Sequence, residues 1–406
     1  MNAPSTRSEA RRTAFILATA QAIMGSVPPI CISVGALVGS QLLDADKSLA
    51  TAPVTGFNLG VALGALPAAA LIRRFGQRDG FMTGAGVVGI GGMIATLAML
   101  RGSFWLFAMG VCLVGMGMSF SQQYRFAAAD DAGPAFKARA ISWVMAGGVL
   151  NGILGPQVVI FTDDLMAPVK FAGSFASILV IAGIGAAVLS LLRLKPKMQV
   201  IAEASHEPAR PLLEVIRQPQ FAVGLLCAVG SYSLMSFVMT GAPLAMIGCG
   251  FSSDEAALGI SWHVLAMFGP SFFTGLLIAR FGKERILATG LLLLIGCGVC
   301  ALAGIELWNF WLALILLGLG WNFGFIGATA MVAGSYRFSE KGKVQGLHDF
   351  VLFGSVAFSS LMSGIIFNAY GWDALAMVIF PVTLLCLVAL GMVVVMARGQ
   401  KAESSA

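Results

Sequence analysis

The sequence predicts an all-α membrane protein of twelve transmembrane helices, arranged as two pseudo-symmetric six-helix bundles. Three observations predict it. First, the composition is 58% hydrophobic and 11% charged, where ordinary soluble domains carry about 25% charge. Second, apolar runs lie at about 13–37, 49–72, 80–99, 103–128, 139–161, 168–192, 219–246, 255–279, 286–305, 308–334, 344–367 and 374–397. Each reaches about 20 residues, enough to cross a hydrocarbon core of roughly 30 Å. Third, LIRRFGQRDGFMTG at 71–84 returns as LIARFGKERILATG at 277–290. Leu71, Ile72, Arg74, Phe75, Gly76, Thr83 and Gly84 recur as Leu277, Ile278, Arg280, Phe281, Gly282, Thr289 and Gly290, each 206 residues on. Phe104-Trp105-Leu106 and Lys137 recur at the same offset, as Phe310-Trp311-Leu312 and Lys343.

The runs do not alternate polar and apolar residues over about ten positions, which excludes a β-barrel. The net charge of +6 does not mark a nucleic-acid surface, because the charges sit in short clusters between apolar runs. Placing the N-terminus in the cytoplasm puts every lysine and arginine except Lys47, Arg101 and Lys170 on that side. The positive-inside rule therefore predicts cytoplasmic termini, in what reads as a bacterial inner membrane. Residues 193–218 form the one long polar stretch and read as a cytoplasmic linker, with a short amphipathic helix near Leu212–Ile216. The predicted organisation is a bundle over 1–192, the linker, and a bundle over 219–406. Six spans per half is an even number, so the repeats are parallel.

Taken in order, run 1 follows Arg7, Arg11 and Arg12 but is too long for a signal-peptide core, and it reads as retained. It carries Gln21 and the pair Pro28-Pro29; run 2 carries Asn58, and run 3 almost nothing strongly polar. Run 4 holds the most loaded stretch, SFSQQYRFAAADD at 119–131. Gln122 and Gln123 offer donors and acceptors, Tyr124 a ring and hydroxyl, and Arg125 a fixed cation suited to a carboxylate or phosphate. Arg125 can equally snorkel or pair with Asp130 or Asp131. Run 5 carries Asn151, Gly155-Pro156 and Gln157, and run 7 carries Tyr232 and the segment TGAP at 240–243.

His263 in run 8 is a proton-coupling candidate, because histidine titrates unperturbed near neutral pH. A seam histidine bonded to a neighbouring helix is the other reading. Pro270 should kink this run. Run 9 contains Cys297 and Cys300, which read as a buried structural pair without partner ligands for a metal. Run 10 places Trp321-Asn322 at mid-depth, and Asp349 in run 11 is the one carboxylate well inside a span. Polar groups in hydrocarbon are costly, so these side chains should face protein or a wet cavity.

The 6+6 plan with a basic loop after runs 2 and 8 resembles the major facilitator superfamily along the whole chain. That family's loop motif is matched by Arg74, Gly76 and Arg78, and again by Gly275, Arg280, Gly282 and Lys283. It departs at the acidic position, occupied by Arg73 and Ala279. The run-4 Gly-x-Gly is Gly115 and Gly117, with Val111 where the family usually has arginine, and only Gly155-Pro156 remains of the antiporter motif in run 5.

The resemblance implies that runs 1, 4, 7 and 10 line a cavity, that 2, 5, 8 and 11 form the seam, and that 3, 6, 9 and 12 face lipid. It also implies an inner latch between runs 2 and 11, here with Arg73 paired to Asp349, or Arg125 in its place. Arg74, Arg78, Arg280, Lys283 and Arg285 would complete the basic turns. Around QQYRFAAAD and WHVLAMF the chain is similar to bacterial riboflavin-type importers of the superfamily.

The expected function is secondary transport of a small polar organic solute by alternating access. Substrate contacts are expected from Gln21, Asn58, Gln122, Gln123, Tyr124, Arg125, Tyr232, His263, Trp321 and Asn322. No catalytic signature, metal cluster or cofactor motif is present in the sequence, and the absence of a nucleotide-binding motif points away from a primary pump. The chain is expected to be a monomer in a lipid bilayer, with no nucleic-acid partner. A drug or toxin efflux antiporter and a transporter-like receptor are the alternatives.

Overall fold

The computed structural model of the chain describes residues 7–43, 46–131, 134–192, 210–337 and 340–404. Most of the predicted linker, 193–209, lies outside the described residues. The first half comprises α1 (Arg7–Met24), α2 (Val27–Leu42), α3 (Ala52–Phe75), α4 (Gln77–Leu100), α5 (Phe104–Met118), α6 (Tyr124–Asp131), α7 (Pro134–Thr162) and α8 (Ala172–Ser190). A short α9 (Leu212–Ile216) stands where the sequence placed an amphipathic helix. The second half comprises α10 (Pro219–Gly248), α11 (Ser253–Phe268), α12 (Ser271–Phe281), α13 (Lys283–Leu302), α14 (Leu307–Ala333) and α15 (Lys341–Ser404).

Ten stretches among the described residues are single helices, or helices in line, long and apolar enough to span a bilayer. The pair α11–α12, bent by 41°, supplies an eleventh. Its bend falls at Gly269-Pro270, where the missing proline N–H interrupts the backbone ladder. The 50-residue stretch Leu347–Met396 breaks at Gly371 (φ 76°, ψ −169°), which divides it into two crossings and brings the number to twelve.

Side-chain burial divides the same way. One apolar cluster draws on residues 10–192 with Ala257 added. A second draws on residues 227–390, joined by Ile32, Ala36 and Val54 from α2 and α3. Those three residues insert one end of the first half into the core of the second.

The repeated basic turn has the geometry its sequence demands. Gly76 and Gly282 both sit at φ 88°, a conformation that a Cβ would strain, and their N–H groups close back on Ile72 and Ile278. Arg74 lies over the Phe75 ring at 5.5 Å and Arg280 over Phe281 at 5.4 Å. The end of the molecule bearing these turns is called the basic end below, and the opposite end the far end.

At the basic end the chain is clasped to the second half before α9. The Arg210 backbone N–H and Nε both donate to Glu340 Oε1 at 2.8 Å, and Nη2 donates to Oε2 at 2.9 Å and to the Ser335 carbonyl at 3.1 Å. Val215 of α9 packs with Phe221, Val332 and Val344 beneath it. The Arg210 side chain, aided by the Arg337 and Arg210 backbone N–H groups, holds the Glu340 carboxyl down to about 2.

An unfolded glutamate titrates near 4.3. A lowered value means the contribution is complete above about pH 5 and is lost as pH falls towards 2. Thermal unfolding in detergent from pH 6 to pH 3 should therefore lower the wild-type Tm more steeply than that of Glu340→Gln. Parallel slopes would show that the clasp does not contribute to the stability that unfolding measures.

Candidate functional site

A cavity of about 190 Å³ lies between the halves. Its polar side chains come mostly from one side. The first half supplies the amides Gln21, Asn58, Gln122 and Asn151, the hydroxyl of Ser121 and the guanidinium of Arg125, among apolar groups that include Phe57, Met118 and Met145. The second half supplies Tyr232, Phe268 and Phe353, with Met235, Met239 and Met267 and the hydroxyl of Ser236. Among the described residues no carboxylate lines the cavity.

The local backbone explains these positions. The first span breaks between α1 and α2, where Pro28 and Pro29 open α2 and face the cavity. A Cβ on Gly25 would come within 2.2 Å of Asn151 Nδ2, so this glycine makes room for the Asn151 amide. Between α5 and α6 the chain tightens into a 3-10 turn over Ser121–Gln123. The turn puts Gln122 and Arg125 on the wall and directs Tyr124 behind it.

Tyr232 is the hub of the apolar wall. Its ring meets Trp321 at 5.3 Å, Phe325 at 5.1 Å and Phe353 at 6.0 Å, all edge-on. Trp321 stacks on Phe325 at 5.2 Å and meets Phe268 edge-on at 6.2 Å. The aromatic face is thus two layers deep, with Trp321 in the rear layer.

The seam beside the cavity is polar and closed towards the far end. Asn58 Nδ2 donates to Ser360 Oγ at 2.8 Å, and Ser360 Oγ shares a hydrogen bond of 2.7 Å with Ser236 Oγ. Two turns further out, Thr51 Oγ1 donates to the Leu361 carbonyl at 3.4 Å and packs against Gly364. On the opposite seam, Ser261 Oγ donates to the Gly152 carbonyl. Runs 2 and 11 therefore meet beside the cavity towards the far end.

Several sequence expectations change here. Gln21, Asn58, Gln122, Arg125 and Tyr232 converge on the cavity. Gln123 does not line it. Tyr124 is buried against Phe81, with ring centroids 4.8 Å apart. Trp321 stands behind Tyr232.

Asn322 is consumed by the helix break. Its Nδ2 donates to the Met267 carbonyl and to Ser271 Oγ, both at 2.7 Å, and its Oδ1 accepts from Thr274 Oγ1 at 2.6 Å. This is how a neighbouring helix satisfies backbone groups at a proline break in apolar surroundings. Run 10 is consequently absent from the wall, and the seam runs 2, 5, 8 and 11 take part in it.

His263 is fully buried in the α11–α14 contact, where Nδ1 donates to the Leu314 carbonyl at 2.8 Å. The repeat pairs Asn58 with Val264, and Val264 does line the cavity. One residue is about 100° of helix, so His263 points elsewhere.

Asp349 accepts a 2.9 Å hydrogen bond from Nδ1 of its neighbour His348 and lies in the electrostatic field of Arg125. The side chains of Arg73, Asp130 and Asp131 lie outside the described residues. Among the remaining basic-turn residues, Arg78 and Arg285 are exposed, and the Lys283 ammonium approaches Gly334. Asn151 was visible in the sequence as an intramembrane amide. Phe268, Phe353 and the three methionines carried no signal, since an apolar residue in an apolar run is the default.

The family model for the Major Facilitator Superfamily matches residues 13–270 and 225–406. The chain is 51% identical over 381 residues to the riboflavin transporter RfnT of Brucella anthropi, covering 94% of this chain and 95% of that one. It is 31% identical to the uncharacterised MFS-type transporter YddS of Bacillus subtilis, covering 88% of this chain and 85% of that one.

Among solved structures, a bacterial homologue of the human lysosomal transporter Spinster, in an inward-facing and occupied conformation, matches with TM-score 0.74 at 16% identity. The match covers 97% of this chain and 98% of that one. The xylose transporter XylE of E. coli, in a partially occluded inward-open conformation, matches with TM-score 0.69 at 13% identity, covering 93% and 97%. These two likenesses concern the fold. With its twelve crossings, its duplicated basic turn and a family match across both halves, the chain belongs to the Major Facilitator Superfamily and is an integral membrane transport protein.

Proposed function

We propose that this secondary transporter carries riboflavin or a close flavin across a bacterial inner membrane by alternating access. The observation that carries the reading is the mixed lining of the cavity. Its aromatic and thioether side chains suit the face of a planar ring system. Its four amides suit a polar edge and a hydroxylated chain. Its relative RfnT, named as a riboflavin transporter, supports the same substrate class. A cationic drug would find no carboxylate on the described wall, which disfavours the efflux reading.

In this reading the basic end is cytoplasmic, both termini with it, and the state described faces inward. Residues 1–192 and 219–406 are the rocking units and 193–218 the tether. One copy encloses the whole cavity, so a monomer suffices, with no nucleic-acid partner.

The test is counterflow of labelled riboflavin in proteoliposomes. Saturable exchange that excess unlabelled riboflavin abolishes is the expected result. Binding without exchange would instead make the protein a receptor. Exchange of cationic toxins, with riboflavin inert, would restore efflux.

A further inference from the structure

From the seam geometry we infer that Asn58, Ser360 and Ser236 form a polar clasp that holds the far end shut, and that Asn58 links occupancy of the cavity to its release. The inference rests on the cavity being the transport site. Asn58 belongs to both structures. It lines the cavity from the first half, and it donates across the seam to Ser360 on the second half. An asparagine amide has two donors and a carbonyl acceptor. The Ser360 bond uses one donor, so the rest of the amide is available to a solute.

Ser236 makes release inexpensive. Ser360 is fully buried, and an unpaired buried hydroxyl would be costly. Because Ser360 also bonds Ser236 on its own half, it keeps a partner when Asn58 turns to a ligand. The second half therefore leaves the seam with its polar groups satisfied.

The opposite seam is built to match. Ser261 reaches across to the Gly152 carbonyl, and the 206-residue repeat relates Ser261 to Thr55, one turn from Asn58. Among the described residues each seam thus carries a cross-half hydrogen bond at similar depth, and the α3–α15 seam adds the longer Thr51–Leu361 bond further out. A solute engaging Asn58 would weaken the α3–α15 seam and not the opposite one, leaving only the longer 3.4 Å Thr51–Leu361 bond on it, so the halves would part first along α3 and α15.

The experiment places spin labels at the far end, on Lys47→Cys and Tyr370→Cys in a Cys249→Ser background; both labelled positions are exposed. Distances are measured in reconstituted full-length protein with and without riboflavin. Asn58→Leu and Ser360→Ala should each shift the ratio of open to closed far ends by about fivefold without ligand, the equilibrium equivalent of one hydrogen bond. Their double variant should shift it no further. Ser360→Thr, which keeps the hydroxyl, should restore the wild-type ratio. Riboflavin should open the far end of the wild type but not open Ser360→Ala any further.

Wild-type distances in both single variants without ligand would overturn the inference, whatever riboflavin does. So would an equal riboflavin response in wild type and Ser360→Ala. Variants that open while riboflavin leaves the wild type unmoved would keep the clasp and count against the flavin reading instead.

Discussion

Replacing Gly115 by valine is expected to abolish the folded protein. A Cβ at this position would stand 2.0 Å from the Phe57 carbonyl oxygen and 2.8 Å from its carbon. Both are backbone atoms, so no rotamer change relieves the clash, and α5 would have to withdraw from α3. The contact is reciprocal one turn away, where a Cβ on Gly60 would meet the Cys112 carbonyl oxygen at 2.0 Å. Overpacking in a close-packed interior costs about 1–3 kcal/mol even where side chains can yield. Here the neighbour is backbone, and the displaced segment includes Phe57 and Asn58 of the cavity wall. Size-exclusion of the detergent extract should show no monodisperse Gly115→Val, and Gly115→Ala, which carries the same clashing Cβ without the two methyls, should be strongly destabilised in the same direction. Gly86→Ala is the control, because beyond the local backbone of its own helix nothing lies within 4 Å of its Cβ position. A monodisperse valine variant with wild-type Tm would mean that the two helices are not in the contact described.

If the proposed flavin substrate is the right one, Tyr232→Ala should weaken riboflavin binding by tenfold or more, whereas Tyr232→Phe should stay within about threefold. Stacking of a flat heteroaromatic on an aromatic side chain contributes about 1–3 kcal/mol in comparable sites. Tyr232 is the front-layer ring that touches both Phe353 and the rear pair Trp321–Phe325. Its loss removes a ring that lines the cavity and the support that fixes its neighbours. Equilibrium titration of purified protein separates the two substitutions: if alanine and phenylalanine weaken binding equally, the hydroxyl is the contact and the ring is not. A Trp321→Phe variant should have the smaller effect, since it acts only from behind.

The class and plan of this protein were legible in its residues because membrane insertion reads composition directly. Charges cannot stay in hydrocarbon, so runs, loops and their basic bias stand out along the chain. The duplicated turn was equally visible, and the glycine at each copy sits at positive φ. Pro270 likewise announced the 41° bend. Intramembrane polarity also picked out Gln21, Asn58, Gln122 and Arg125, all of which face the cavity.

Only the tertiary structure decided which of the remaining polar groups are spent inside the protein. Asn322 is taken by a helix break, His263 by the carbonyl of Leu314, and Tyr124 by Phe81. Chain position marks a group as polar and deep. It does not say which way the group points, and a helix apolar on every side has no stripe to orient it. For the same reason the apolar half of the cavity was unreadable: Phe353 and Met267 differ from lipid-facing neighbours only in what packs against them. The far-end seam depended on more still, because Asn58 and Ser360 lie 302 residues apart and meet only in the folded chain.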